Sequence, residues 1–252
     1  MGETAYRAVK VAGAVFRYGV QHGLCESDPS CDLRGAVLLP VPEHRAAVTD
    51  PKKLGELLSA FDAYMGTPVV RALALQPMVF VRPGELRHAE WAEFDLDSNV
   101  WIISAARMKG NLQAKKNGSP HVVPQAVAIL RELHPLTGGG RYVFPSPLTA
   151  EKPMSDNAVL TALRRMGFAK NEVTGHGFRA TVRTIAPIAS ERLGIAPEVI
   201  EAQLAHAVGD ALGQAYNRTQ YLEQRRELMT KWVDYLDILR KGAQVLAFKG
   251  EA

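Results

Sequence analysis

The sequence predicts a mainly helical α+β protein, with many helices around one small antiparallel sheet. Three observations lead there. Long segments repeat apolar residues at helical spacing, as Tyr6, Val9, Ala12, Val15, Phe16 and Val20 do. Two short β-rich segments, "NVWIISAA" and "PHVVPQ", bracket a basic tip, "RMKGNLQAKKNGS", and read as a hairpin. Strands and helices do not alternate as a doubly wound sheet requires.

Taken in order, residues 3 to 22 form an amphipathic helix. "HGLCESDPSCDLRGAVLLPVPEHRAAVT" then supplies Gly, Pro, Ser and Asp without periodicity and reads as a linker, which puts a domain boundary near residue 46. "TDPKKLGELLSAFDAYMG" restarts a helix, with Asp50 as N-cap, Pro51 in the first turn and Gly66 at the end. "TPVVRALALQPMVF" is apolar almost all round, so it belongs at the centre of the core. "RPGELRHAEWAEFDL" leads out of it towards the hairpin, and "RYVFP" is a candidate third strand. From "MSDNAVLTALRRMG" onwards the pattern is helical, ending in the long "TQYLEQRRELMTKWVDYLDILRKGAQVLAF".

Composition sets the class. The chain has 252 residues, 47% of them apolar and 22% charged, with a net charge of +4. That suits a globular protein with a sizeable core and a basic lean towards polyanions. Between Ser98 and Arg131 there is no Asp or Glu, while Arg107, Lys109, Lys115 and Lys116 fall inside. Such a run is either a solvated face or a phosphate-binding one. Two cysteines, Cys25 and Cys31, are too few for a disulfide framework or a four-cysteine zinc site, and fit a reducing cytoplasm. No apolar stretch reaches the length of a membrane span, and the first helix is not a signal peptide.

Five further features carry chemistry. "VTGHGFRATVRT" sets His176, Arg179 and Arg183 at successive helical turns. "VRPGEL" puts Arg82 at a helix start, and the hairpin offers Lys109. "QLAHAVGD" holds His206, and "QAYNRTQYLEQRR" holds Tyr216 and Tyr221. Singly each has an ordinary reading: Arg82 pairs with Glu85, His206 is a satisfied core histidine, and Tyr216 is a rim aromatic.

Their order is what distinguishes them. Arg, then Lys in a hairpin, then His-x-x-Arg, then "LAH", then Tyr resembles the catalytic set of the tyrosine recombinases, the phage integrase family. The segments "ALALQPMVFVRPGELRHAEWAEFDL", "RYVFPSP", "HGFRATVRTI", "LAHAVGDALGQAYNR" and "RRELMTKWVDYLD" run in the order seen in integrases of prophages and genomic islands, the satellite-phage type. The resemblance implies a C-terminal remnant of a helical core-binding domain plus linker over residues 1–45, and a catalytic domain over 46–252. It implies a site-specific recombinase that cleaves and rejoins DNA through a 3′-phosphotyrosine, acting on double-stranded attachment sites. It also implies a homo-tetramer on DNA, a monomer without it, and accessory DNA-bending or directionality factors.

The catalytic set so implied is Arg82, Lys109, His176, Arg179, His206 and Tyr216 as nucleophile, with Lys115, Lys116 and Arg183 as phosphate contacts. The chemistry suits these residue types. Planar guanidiniums grip phosphate oxygens bidentately and stay charged. A tyrosine nucleophile keeps the bond energy in a phosphotyrosine, so neither metal nor nucleotide cofactor is implied. A hairpin lysine suits protonation of the leaving oxygen. Lys115 and Lys116 compete with Lys109 for that role, and Tyr221 competes with Tyr216, although Tyr221 has the setting of a packing residue. In two places the chain departs from the family: the hairpin tip is longer than is typical, and "APIASERLG" extends the segment after His-x-x-Arg. The alternatives are a DNA-binding integrase fragment without productive recombination, or a type IB topoisomerase-like enzyme.

Overall fold

The computed structural model describes residues 2–33, 35–36, 45–64, 68–108, 119–122, 125–193, 195–205 and 221–242. The chain divides into two compact units, Met1–His44 and Arg45–Ala252. In the first, α1 (Gly2–Gln21) packs on a short 3-10 turn, Pro29–Leu33. Gly13 makes that approach possible, since a Cβ there would lie 2.6 Å from Ser30 Oγ. Arg17 and Asp28 pair across it at 2.9 Å. The helix leaves Val11, Val15 and Tyr18 exposed.

The second unit is built around α3 (Pro68–Val79), whose Leu73, Leu75 and Met78 are buried. Around it pack α2 (Pro51–Ala63), α5 (Ala126–Thr137), α6 (Ala158–Arg165), α7 (Gly177–Leu193) and α9 (Leu222–Arg240). A helix apolar on all sides has to be enclosed in this way, because no face of it gains from water. The expected start of α2 is present: Asp50 Oδ1 accepts from the N–H groups of Lys52 and Lys53 at 2.8 and 3.1 Å, and Pro51 follows. At Gly55 the backbone of α9 comes so close that a Cβ would sit 2.4 Å from the Leu239 carbonyl oxygen.

The sheet has three antiparallel strands in the order β1 (Phe94–Asp95), β2 (Val100–Ile103), β3 (Ser119–Val122). Phe94 pairs with Trp101, and Trp101 in turn with His121. Trp101 and Ile103 point into the core while Ile102 between them is 53% exposed, the alternation of a half-buried strand. The first hairpin turns on Asp95, whose Oδ1 accepts from the N–H groups of Asp97 and Ser98, and on left-handed Asn99.

The third strand is therefore "FD", not "RYVFP". Tyr142 forms only an isolated bridge with Glu90. Val143 and Phe144 are both fully buried, which a half-buried strand cannot achieve at adjacent positions. Their backbone groups go to Ala89 O (2.9 Å, from Val143 N) and Met154 N (2.8 Å, to Phe144 O). A two-residue strand carries too little alternation to be visible in sequence.

Candidate functional site

The site begins where α3 ends. Phe80, fully buried, adopts a left-handed backbone (φ 58°), a conformation costly for a bulky side chain and held here by its surroundings. Its ring meets Trp232 of α9 edge-on, with centroids 5.7 Å apart, and Trp232 Nε1 donates to Pro77 O at 2.8 Å. The reversal at Phe80 brings Arg82 to the N-cap of α4 (Pro83–Arg87). Glu85, buried three residues on, uses both carboxylate oxygens on Arg82. Oε2 accepts from its backbone N–H at 2.8 Å and Oε1 from Nη1 at 2.7 Å. The plain pairing that the sequence allows for Arg82 is thus present, and it orients the guanidinium.

Arg179 reaches the same place from α7. Thr174 prepares the helix start: its Oγ1 accepts from Gly177 N at 3.0 Å and donates to Ala46 O at 3.2 Å. Gly177 is required, since a Cβ would meet Ala46 O at 2.1 Å. Buried Gln76 of α3 donates to Gly175 O at 2.8 Å. Within the first turn of α7, Arg179 Nη1 donates to Phe80 O, and Nη2 donates to Leu204 O at 2.7 Å. Leu204 caps α8 (Pro197–Gln203), and Ala205 after it is again left-handed (φ 51°). One guanidinium thereby ties two backbone reversals together.

The positive charge of Arg82 reaches Arg179. Burial first, then repulsion from Arg82, push the Arg179 pKa down to about 10, against partial relief from Glu85 and Glu201. Arg179 still carries its proton at neutral pH. Two cations within reach of each other's charge in a partly dry setting suit a tetrahedral oxyanion.

The other expected residues sit differently. His176 is exposed and lies in the turn before α7, its carbonyl accepting from Arg179 N at 3.3 Å. Arg183, further along α7, turns to α8, where its Nε lies 3.3 Å from Glu201 Oε1. Tyr221, left-handed at the N-cap of α9, packs half-buried against the core, as the sequence suggested for a packing residue. Lys109, Lys115, Lys116, His206 and Tyr216 lie outside the described residues.

Two arginines that sequence reasoning passed over are enclosed. Arg107, counted in the basic run as a surface cation, is only 19% exposed in its side chain and pairs with Glu93 at 2.8 Å. Arg225 on α9 is 2% exposed and donates from Nε to Gln203 Oε1 at 2.6 Å. No spacing rule separates these from solvated arginines. In the sequence they stand only as one cation of the basic run and one of "QRR".

Fold and site together define a mainly helical unit with a small antiparallel sheet that sets two arginines, each within reach of the other's charge, at helix starts. The family model described as "Phage integrase family" matches residues 48–223, and the chain belongs to that family of tyrosine recombinases. It is 37% identical over 250 residues to the integrase of Enterobacteria phage P4, covering 94% of this chain and 56% of that one. It is 35% identical over 251 residues to "Putative protein IntB" of Escherichia coli (strain K12), covering 95% of this chain and 62% of that one. The chain thus spans about three fifths of the length of these relatives. In fold it is similar to a lambda integrase (75–356) dimer bound to a COC′ core site (TM-score 0.57, 14% identity, 84% of this chain and 74% of that one). It is also similar to an integrase from mycobacterium phage Brujita (TM-score 0.51, 14% identity, 92% of this chain and 72% of that one).

Proposed function

We propose that this chain is the catalytic part of a site-specific DNA recombinase, acting on double-stranded attachment sites of a prophage or genomic island. The observation that carries the reading is that Arg82, held by buried Glu85, acts by its charge on Arg179, which is fixed by the carbonyls of Phe80 and Leu204. In this reading the two arginines grip the non-bridging oxygens of one scissile phosphate. Tyr216 attacks the phosphorus, a Tyr–O–P bond forms, and the bond to the 5′-oxygen breaks. Lys109 gives its proton to the departing oxygen, while His176 assists transfer of the phenolic proton from Tyr216 to solvent and His206 hydrogen-bonds the phosphate. Lys115, Lys116 and Arg183 contact neighbouring phosphates. The exchange trades one phosphodiester for another, so its energetics call for neither nucleotide nor metal.

Residues 46–252 act as the catalytic domain and residues 1–45 as the end of a core-binding domain with its linker. The enzyme works as a homo-tetramer on DNA, with accessory bending or directionality factors, in the bacterial cytoplasm. Likeness of fold to a lambda integrase tetramer bound to a Holliday junction supports that assembly.

The test is a duplex nicked beside the scissile bond, so that the released fragment diffuses away and the adduct accumulates. A covalent protein–DNA species formed in excess EDTA is expected. DNA binding without any adduct would instead favour the reading of a binding fragment lacking productive recombination.

A further inference from the structure

Arg107 is an arginine that the proposed reaction does not use, yet it is one of the most heavily engaged among the described residues. It closes the 3-10 turn Ala105–Arg107 that follows β2, at the base of the basic hairpin. Its Nη1 donates to His88 O and its Nη2 to Glu85 O at 3.4 Å, both on the C-terminal side of α4. Nη2 also donates to Glu93 Oε2 at 2.8 Å. The same carboxylate oxygen accepts from Trp101 Nε1 of β2 at 3.1 Å and from Glu90 N at 3.3 Å. The side chains of Arg107 and Glu93 are 19% and 11% exposed, so this pair is shielded from water and works at short range.

The geometry has one consequence. α4 begins with Arg82 and ends against Arg107, and Glu85 touches both arginines: its carboxylate holds Arg82 and its carbonyl receives Arg107. A planar guanidinium can meet two carbonyls and a carboxylate together, whereas an ammonium on a longer, freer stem cannot meet all three in one fixed plane. We propose that Arg107 is a positioning residue: it fixes the base of the hairpin to the helix that carries Arg82, and so sets the distance from which the hairpin protonates the leaving oxygen. This role rests on the recombinase reading above.

The step Arg107 would serve can be isolated by changing the leaving group. In cleavage, the P–O5′ bond breaks and the 5′-oxygen takes the proton of the hairpin ammonium. If sulfur replaces that bridging oxygen, the leaving thiolate has a conjugate acid near a pKa of about 8.5 and departs without a proton. Loss of the acid then ceases to matter, while loss of the phosphate grip matters as before.

The experiment measures adduct formation by the full 252-residue chain on nicked duplexes with oxygen or sulfur at the bridging position. Lys109→Ala and Arg82→Gln serve as references for the lost acid and the lost grip. Arg107→Lys is expected to slow cleavage of the oxygen substrate by about 10²-fold, the low end for general acid catalysis. On the sulfur substrate it should return to within about three-fold of the wild type, as Lys109→Ala does and Arg82→Gln does not. Glu93→Gln, which leaves Arg107 its two carbonyls, should show the same rescue from a smaller loss, and it carries the test if Arg107→Lys fails to fold.

Equal loss on both substrates by either folded variant would overturn the proposal. If Lys109→Ala is not rescued while the wild type cleaves, Lys109 is not the acid and the proposal, which places Arg107 at its base, falls with it. A wild-type chain that forms no adduct on either duplex would refute the catalytic reading from which both start.

Discussion

Arg225 of α9 and Gln203 of α8 are joined by a 2.6 Å hydrogen bond, and both side chains are almost wholly out of water. In sequence they flank the segment that contains His206 and Tyr216. Burial pushes the Arg225 pKa down to about 10. Since the folded value lies below the unfolded one, the unfolded chain binds the proton more tightly. The cost of the buried charge is therefore fully present below pH 10 and fades as pH rises above it.

Truncating this pair should be costly in a way that keeping its volume is not. Arg225→Ala strands the Gln203 carbonyl oxygen and removes the packed stem, with an expected loss of about 2–4 kcal/mol. Arg225→Met keeps most of the stem and should lose less. Urea melts at pH 8 measure both, and at pH 10.5 the wild type should gain on Arg225→Met. An equal gap at the two pH values would show that burial does not depress this pKa.

Glycine replacements should divide by what surrounds them. Gly55→Ala and Gly177→Ala drive a methyl into backbone carbonyl oxygens 2.4 and 2.1 Å from the ideal Cβ position, so each should cost about 1–3 kcal/mol despite the better helix propensity. At Gly84 in α4 a Cβ meets nothing within 4 Å, so Gly84→Ala should leave thermal stability unchanged or raise it. Thermal melts of the three variants side by side give the ranking.

The two-arginine seat should be stabilised by sulfate, a dianion across the whole working pH range. At ten times its Kd, a single bound anion adds about 1.4 kcal/mol. Arg82→Gln should abolish that gain. Because Arg179 is protonated below a pKa of about 10, the gain should be level from pH 6 to 9 and fall as pH rises through 10. A thermal shift that sulfate raises equally in wild type and Arg82→Gln would place the anion elsewhere.

The nucleophile assignment separates two tyrosines. Tyr216→Phe should eliminate the covalent DNA adduct while leaving affinity within a few-fold, because one hydroxyl is lost among many phosphate contacts. Tyr221→Phe should keep the adduct, in line with its packing against the core. Denaturing gels of nicked-duplex reactions decide it, and the reverse pattern would reassign the nucleophile.

Residues 1–252 alone should be monomeric without DNA and bind it weakly, with a steep dependence on salt. Each phosphate contact adds about 0.9 to the slope of log K against log salt. Sedimentation at several concentrations and binding titrations at several ionic strengths test this. A stable DNA-free tetramer would contradict it.

The sequence alone determined much that is local or ordinal. The Asp50 cap, the all-round apolar α3 and the alternation of "VWII" are written in residue type and spacing, because capping and periodic burial act within a few residues. The order of Arg82, His176, Arg179 and the tyrosine segment was equally legible, and it sufficed to identify the family.

Tertiary structure decided which cations face each other. Arg107, Arg179 and Arg183 look alike in sequence, yet one clamps a helix end, one joins two backbone reversals and one pairs on the surface of α8. It also decided that "FD" and not "RYVFP" completes the sheet. The physical reason is the same in each case. An arginine's role depends on which carbonyls and carboxylates come within about 3 Å of its fork, and a strand exists only by its partner. Those neighbours come from segments far away in the chain, as with Arg179 and Phe80, 99 positions apart.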